Sequence, residues 1–150
     1  PDGHPAFSPD GTTLAFTRQR IAGFYGDQRR LVLHDLASGE QTELHEDWDR
    51  AADGLVWAAD GAGLYGAVSD AGTRRVWYLP ADGDGEPAPV TGATDFDGLA
   101  VARDGTLVAR NQSFAYPPRI VRINAGAGAS TRLDSFNDAV LADVDMGTYE

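Results

Sequence analysis

The densest set of side chains that could do chemistry is His45-Glu46-Asp47 with Asp49. An imidazole and three carboxylates could hold a cation. Their spacing matches no calcium loop, and the same residues suit a solvated connection between two strands, which is the reading adopted. Asp82-x-Asp84 and Asp143-x-Asp145 also fall short of a calcium-loop pattern. A serine nucleophile on a strand-to-helix elbow would need Gly-x-Ser-x-Gly, and none of the serines at 8, 38, 69, 113, 130 and 135 has glycine two before and two after. Cysteine is absent, so no disulfide, thiolate metal site or thiol nucleophile exists. No residue is therefore assigned as catalytic, cofactor-binding or metal-ligating. Asn111-Gln-Ser113 fits the N-glycosylation pattern. Trp48, Trp57, Trp77, Phe96 and Phe136 could form a stacking surface for a ligand, or could pack a core.

The elements that would position these groups follow from one stretch, Phe7-Ser-Pro-Asp-Gly-Thr-Thr-Leu-Ala-Phe16. Pro9 sets φ, Asp10 can bond its own backbone, and Gly11 accepts φ > 0, so two apolar runs are joined by a tight turn. The unit recurs around Asp60-Gly61 and Asp104-Gly105, at intervals of 60 − 10 = 50 and 104 − 60 = 44 residues. Arginines at the start of the third strand of each unit keep the same register: 75 − 30 = 45 and 119 − 75 = 44. Each unit reads as four short strands with turn signals between them and no helical periodicity. In the first they are Pro5–Ser8, Thr13–Thr17, Arg30–Asp35 and Gln41–Leu44, with a loop over 19–28. In the second they are Gly54–Ala58, Gly63–Val68, Arg75–Leu79 and Ala88–Thr91. In the third they are Gly98–Ala102, Thr106–Arg110, Arg119–Ile123 and Ser130–Leu133.

Four-stranded antiparallel sheets at a period of roughly 40–50 residues are blades of a β-propeller. A β-sandwich uses similar strands without an internal repeat. The fold class is all-β: a propeller fragment of three four-stranded antiparallel blades. They span about 1–47, 48–93 and 94–138, with a tail over 139–150. Trp57 and Trp77 fall inside strands and read as core. Trp48, Phe96 and Phe136 fall between blades, where they either pack or line a rim. Asp10, Asp60 and Asp104 read as turn caps and not as catalysts.

Composition narrows the partners. Net charge is −11, from 23 acidic and 12 basic residues, and every basic residue is arginine. Such a surface repels phosphate backbones, so nucleic acid is not an expected partner. No apolar run reaches the roughly 20 residues of a membrane-crossing helix, and no membrane partner is expected. The opening Pro1-Asp-Gly-His-Pro5 has no initiator methionine and no apolar leader, which favours a piece of a longer chain.

The Phe7–Phe16 stretch resembles the propeller repeat shared by TolB-type proteins and the prolyl oligopeptidase family of serine peptidases. Ser113-Phe-Ala-Tyr-Pro-Pro-Arg-Ile-Val-Arg122 resembles that family's last blade. Leu133-Asp-Ser-Phe-Asn-Asp138 with Asp145-Met-Gly-Thr-Tyr-Glu150 resembles its passage into the α/β-hydrolase domain, most closely in the dipeptidyl-peptidase and acylaminoacyl-peptidase branches. The resemblance implies a non-catalytic propeller that caps an active site and restricts access to short peptides. Its partners would be the hydrolase domain of the same parent chain and the parent's peptide substrate. No catalytic motif of the family maps onto these residues, and the family's propellers have more blades than three. The alternative is a TolB-like propeller acting as a protein-interaction module. Three blades leave two open faces, so self-association of the fragment is a further expectation, with Phe16→Asp as its probe.

Overall fold

The computed structural model describes residues 2–144, and twelve strands account for most of them. The first group is β1 (Asp2–Phe7), β2 (Thr13–Arg18), β3 (Arg30–Asp35) and β4 (Gln41–Leu44). The second is β5 (Ala52–Trp57), β6 (Gly63–Asp70), β7 (Thr73–Pro80) and β8 (Ala88–Pro89). The third is β9 (Asp95–Val101), β10 (Leu107–Ser113), β11 (Tyr116–Asn124) and β12 (Ala129–Arg132). Within each group, chain neighbours pair antiparallel in sequence order. One parallel pair, Arg74 with Asp95, bridges β7 to β9 and joins the second and third groups into one continuous sheet path. The first strands lie side by side, β1 against β5 and β5 against β9, which puts them at the centre of the fan.

Strand alternation explains the core. On β6 and β7, Leu64, Val68, Trp77 and Leu79 face the first group, where they meet Ala15, Leu31 and Leu44. Tyr65 and Val76, on the opposite faces of the same strands, meet Phe96, Leu107, Ala109, Val121 and Ile123 of the third group. A period of two thus buries the middle group on both sides. Close packing also needs Gly66, since a Cβ there would lie 2.7 Å from Ala52 Cβ.

Several strands differ from expectation. β1 begins at Asp2, because Asp2 and Gly3 pair with Arg18 and Thr17 ahead of a bulge. β8 is only two residues long. Pro87 and Pro89 have no N–H to donate, and the Val76 N–H bonds the Thr91 hydroxyl oxygen in place of a ladder carbonyl. β7, β10 and β11 run longer than read, to the tips of two-residue hairpins. A single helical turn, α1 (Asp138–Leu141), follows β12. The Phe16 probe also needs correction. Its ring is only 7 % exposed and lies under the Arg18 guanidinium at 4.9 Å, so Phe16→Asp would strike folding and not a free interface.

Candidate functional site

The two ends of the fan differ in chemistry. At one end sit the three Asp-Gly turns, whose carboxylates are occupied locally. Asp10 Oδ1 accepts from the Thr12 N–H at 3.0 Å, Asp60 Oδ1 from Ala62 N–H at 3.0 Å, and Asp104 Oδ1 from Thr106 N–H at 2.9 Å. Hydrogen bonds from Ser8 and Thr12 hold Asp10 below the usual carboxylate range, and those from Thr106 do the same for Asp104. These residues are turn caps.

The opposite end gathers the starts of the inner strands and the β2–β3, β6–β7 and β10–β11 connections. Each inner strand carries a register shift there. The residue with positive φ at each shift is His4 (φ 53°), Gly54 (60°) or Gly98 (59°). Their intervals, 54 − 4 = 50 and 98 − 54 = 44, repeat those of the Asp-Gly turns. Glycine reaches this conformation freely, whereas His4 holds it at a cost.

The bulges place Asp53 and Asp97 where an arginine of the preceding group can reach them. Arg29 Nη1 lies 2.5 Å from Asp53 Oδ1, and His4 Nε2 lies 3.4 Å from the same oxygen. Arg74 Nη2 donates to Asp97 Oδ2 at 2.6 Å, while Arg110 Nε donates to Asp97 Oδ1 at 2.6 Å. The Arg110 hydrogen bond is the main reason the Asp97 carboxyl titrates below its ordinary range. The charges of Arg110 and Arg74 add to it, against the opposing effect of partial burial. Sequence reading missed this clasp, although its signal is present: Asp53-Gly54 and Asp97-Gly98 repeat at 44 residues, and Arg29-Arg30 and Arg74-Arg75 at 45.

The third group adds a buried polar centre. Asn111 is 1 % exposed. Its Nδ2 donates to Thr94 Oγ1 at 2.9 Å and to the Asp95 carbonyl at 3.1 Å, and its Oδ1 accepts from the Tyr116 hydroxyl at 2.9 Å. The Arg119 guanidinium stacks on the Tyr116 ring at 3.6 Å. The glycosylation pattern at Asn111 is thereby closed, since no glycan fits a side chain enclosed in this way. Above the network, between the β6–β7 and β10–β11 hairpins, opens a cleft of about 380 Å³. Phe114, Tyr116 and Pro117 form one wall, and Thr73, Asp95 and Gln112 present polar groups.

The other sequence candidates scatter. His45 donates its Nε2–H to the Pro80 carbonyl at 2.9 Å, and Glu46, Asp47 and Asp49 are exposed. Among the described residues no three metal-ligating side chains converge. Asp82 caps its own turn through the Asp84 and Gly85 N–H groups, and Asp145 lies outside the described residues with the rest of the final segment. Trp57 and Trp77 are buried. Trp48 packs on Trp77 with ring centroids 5.6 Å apart, and Phe96, 3 % exposed, is core. Phe136 is 82 % exposed.

The arrangement has known counterparts. No protein-family model matches the chain. Dipeptidyl-peptidase 5 of Porphyromonas gingivalis is 30 % identical over 141 residues, which is 93 % of this chain and 20 % of that protein. The chain is homologous to part of dipeptidyl-peptidase 5. It therefore spans about one fifth of that relative's length. The β-propeller domain of the trilobed protease from Pyrococcus furiosus superposes with a TM-score of 0.65 at 18 % identity, over 90 % of this chain and 38 % of that one. The putative TolB from Agrobacterium tumefaciens gives 0.70 at 20 %, over 88 % and 48 %. The fold is that of propeller blades, and the homology is to the propeller portion of peptidases.

Proposed function

We propose that this chain is the non-catalytic propeller portion of a serine exopeptidase or oligopeptidase, where it caps the active site and gates it for short peptides. The observation that carries this reading is the homology to dipeptidyl-peptidase 5 across nearly the whole chain. The charged and clefted end of the fan supports it, because that end offers polar groups and a cavity while the Asp-Gly end has its carboxylates consumed by turns. The partners in this reading are a hydrolase domain of the same parent chain and the parent's peptide substrate. The test is paired. The parent protein turns over short peptide substrates and is labelled by a serine-reactive phosphonate, whereas the 150-residue chain does neither. A parent that takes no label and cleaves no peptide overturns the proposal.

The TolB likeness supports a second reading, a propeller that serves as a protein-interaction module. A Gly-x-Ser-x-Gly elbow in the parent decides for the peptidase. Self-association of the isolated fan, with two copies closing a six-bladed ring about a twofold axis, is an additional proposal. A stable monomer at micromolar concentration in light scattering overturns it.

A further inference from the structure

The arginine near the start of the third strand of each group is placed by the repeat, but its pairing is not repeated. In the first group, Arg30 Nη1 lies 3.2 Å from Asp27 Oδ1 and donates to the Gln28 carbonyl at 3.1 Å. In the second, Arg75 Nη1 lies 3.4 Å from Asp70 Oδ2, and its Nε and Nη2 donate to the Thr91 carbonyl at 3.1 and 2.8 Å. The third group breaks the pattern. Ser113 closes the β10–β11 hairpin opposite Tyr116, the place that Asp70 holds opposite Thr73 in the β6–β7 hairpin. A hydroxyl thus stands in place of the carboxylate, and among the described residues no acid pairs with Arg119. Its partners there are the Tyr116 ring, at 3.6 Å, and Asn111 Oδ1, which accepts from Nε at 3.4 Å. Both terminal nitrogens are left without an acceptor among the described residues. Arg103 and Arg122 also lack an acid among these residues, but both are exposed, where water serves a guanidinium. Arg119 is partly buried, and its plane is set by Tyr116, whose hydroxyl is fixed in turn by the buried Asn111.

Arg119 lines a cavity of about 300 Å³ with Arg132, Asn137, Asp138, Pro117 and Leu141. The Asp138 carboxylate lies 2.6 Å from Arg132 Nη2, so that pair is neutral. Asp134, at 3.4 Å from the same nitrogen, is already bound by the Ile120 N–H. Arg119 is therefore the uncompensated charge of the cavity. A planar guanidinium with a free fork holds a carboxylate through two parallel hydrogen bonds. One cation balances a monoanion. A phosphate carries about two charges and meets the field of a chain whose net charge is −11. A short peptide ends in such a carboxylate, and its last side chain, on the adjoining carbon, finds an apolar surface in Pro117 and Leu141.

We infer that Arg119 is a carboxylate-binding residue and that its cavity takes the C-terminus of a short peptide, with the last side chain against Pro117 and Leu141. This rests on the reading of the chain as a peptide-gating propeller and gives that gate a means of recognising a chain end.

The experiment is an amide-shift titration of the 150-residue chain with acetyl-Ala-Ala-Leu bearing a free carboxylate. Shifts concentrated at residues 116, 119, 132 and 137 are expected. About tenfold weaker binding is expected for the same peptide closed as its amide, for acetyl-Ala-Glu-Ala-amide, and for Arg119→Lys, which keeps the charge and loses the fork. Arg119→Gln abolishes the shifts. Arg122→Gln removes the same charge from an exposed position three residues on and leaves binding unchanged. Unperturbed amides in the first group show that the Arg119 variants fold, and the free acid against its amide on the unaltered chain decides even where they do not. Equal binding of acid and amide, no shifts at millimolar peptide, shifts spread over the surface, or undiminished binding by Arg119→Gln overturns the inference. Equal binding of the glutamate peptide overturns the assignment to a C-terminus, and equal binding of inorganic phosphate overturns the assignment to a carboxylate. Loss of this inference alone leaves the parent cleaving peptides. Failure of the functional reading leaves a chain that binds the free acid within a parent that cleaves none.

Discussion

The two joints of the fan solve one packing problem by different means. The first, between β1–β4 and β5–β8, is dominated by apolar contacts. Trp57 and Trp77 are buried there with Leu31, Leu64 and Leu79, and Trp57 Nε1 donates to the Ala6 carbonyl at 2.9 Å. The arginine clasp there, Arg29 on Asp53, is more than one third exposed on both partners. The second joint has smaller apolar residues and a larger polar share. Asp97 is held by two guanidiniums and is less exposed, the Asn111 network is buried beside it, and the Arg74–Asp95 pair joins the sheets. The repeat therefore dictates where the blades meet but not what holds them. The cleft opens at the joint whose polar groups are fixed in place.

This comparison can be broken most severely at the first joint. Leu79 is fully buried there, and Leu79→Ala is expected to cost about 2–5 kcal/mol in denaturant unfolding, through lost transfer energy and a cavity. A cost under about 1 kcal/mol would show that this joint is not held by its apolar core.

At the second joint, Asp97→Asn leaves Arg74 and Arg110 without their shared carboxylate and is expected to cost about 1–3 kcal/mol. The matching Asp53→Asn should cost less than about 1 kcal/mol, because its exposed clasp is screened by water. Equal costs would erase the contrast between the joints.

The difference should also appear in acid. Asp97 has its pKa lowered on folding, so the unfolded chain binds the proton more tightly. Its contribution is fully present above the unfolded carboxylate value near 3.8 and is lost as pH falls through the lower folded value. Asp97→Asn should therefore flatten the loss of stability below about pH 4, as read by urea midpoints across a pH series. An unchanged slope would remove Asp97 from the acid response.

The smallest effect belongs to His4, the one bulge position without glycine. His4→Gly should relieve the left-handed backbone and stabilise the chain by about 0.5–1 kcal/mol, less whatever the contact to Asp53 contributes. Destabilisation would show that this contact outweighs the strain.

Much of the fold was legible because it is local. An Asp-Gly turn is decided by one carboxylate bonding an N–H two residues on and by one residue free to take positive φ. Asp10, Asp60 and Asp104 therefore declared three hairpins and their period. Trp57 and Trp77 were legible as core for a similar reason, since both fall inside strands and a strand is signalled by its neighbouring residues. The bulges at Gly54 and Gly98 were written in a second Asp-Gly pair, but their purpose was not. That depends on Arg29 and Arg74 arriving from the preceding blade, 24 and 23 residues earlier in the chain. Whether Phe96 packed or faced a rim, whether Asn111 was open to modification, and whether Phe16 lay free were likewise decided by what lies across the sheet. Local chemistry determines where a strand turns. Burial and partnership depend on groups brought together only when the blades close on one another, and there the tertiary structure decided.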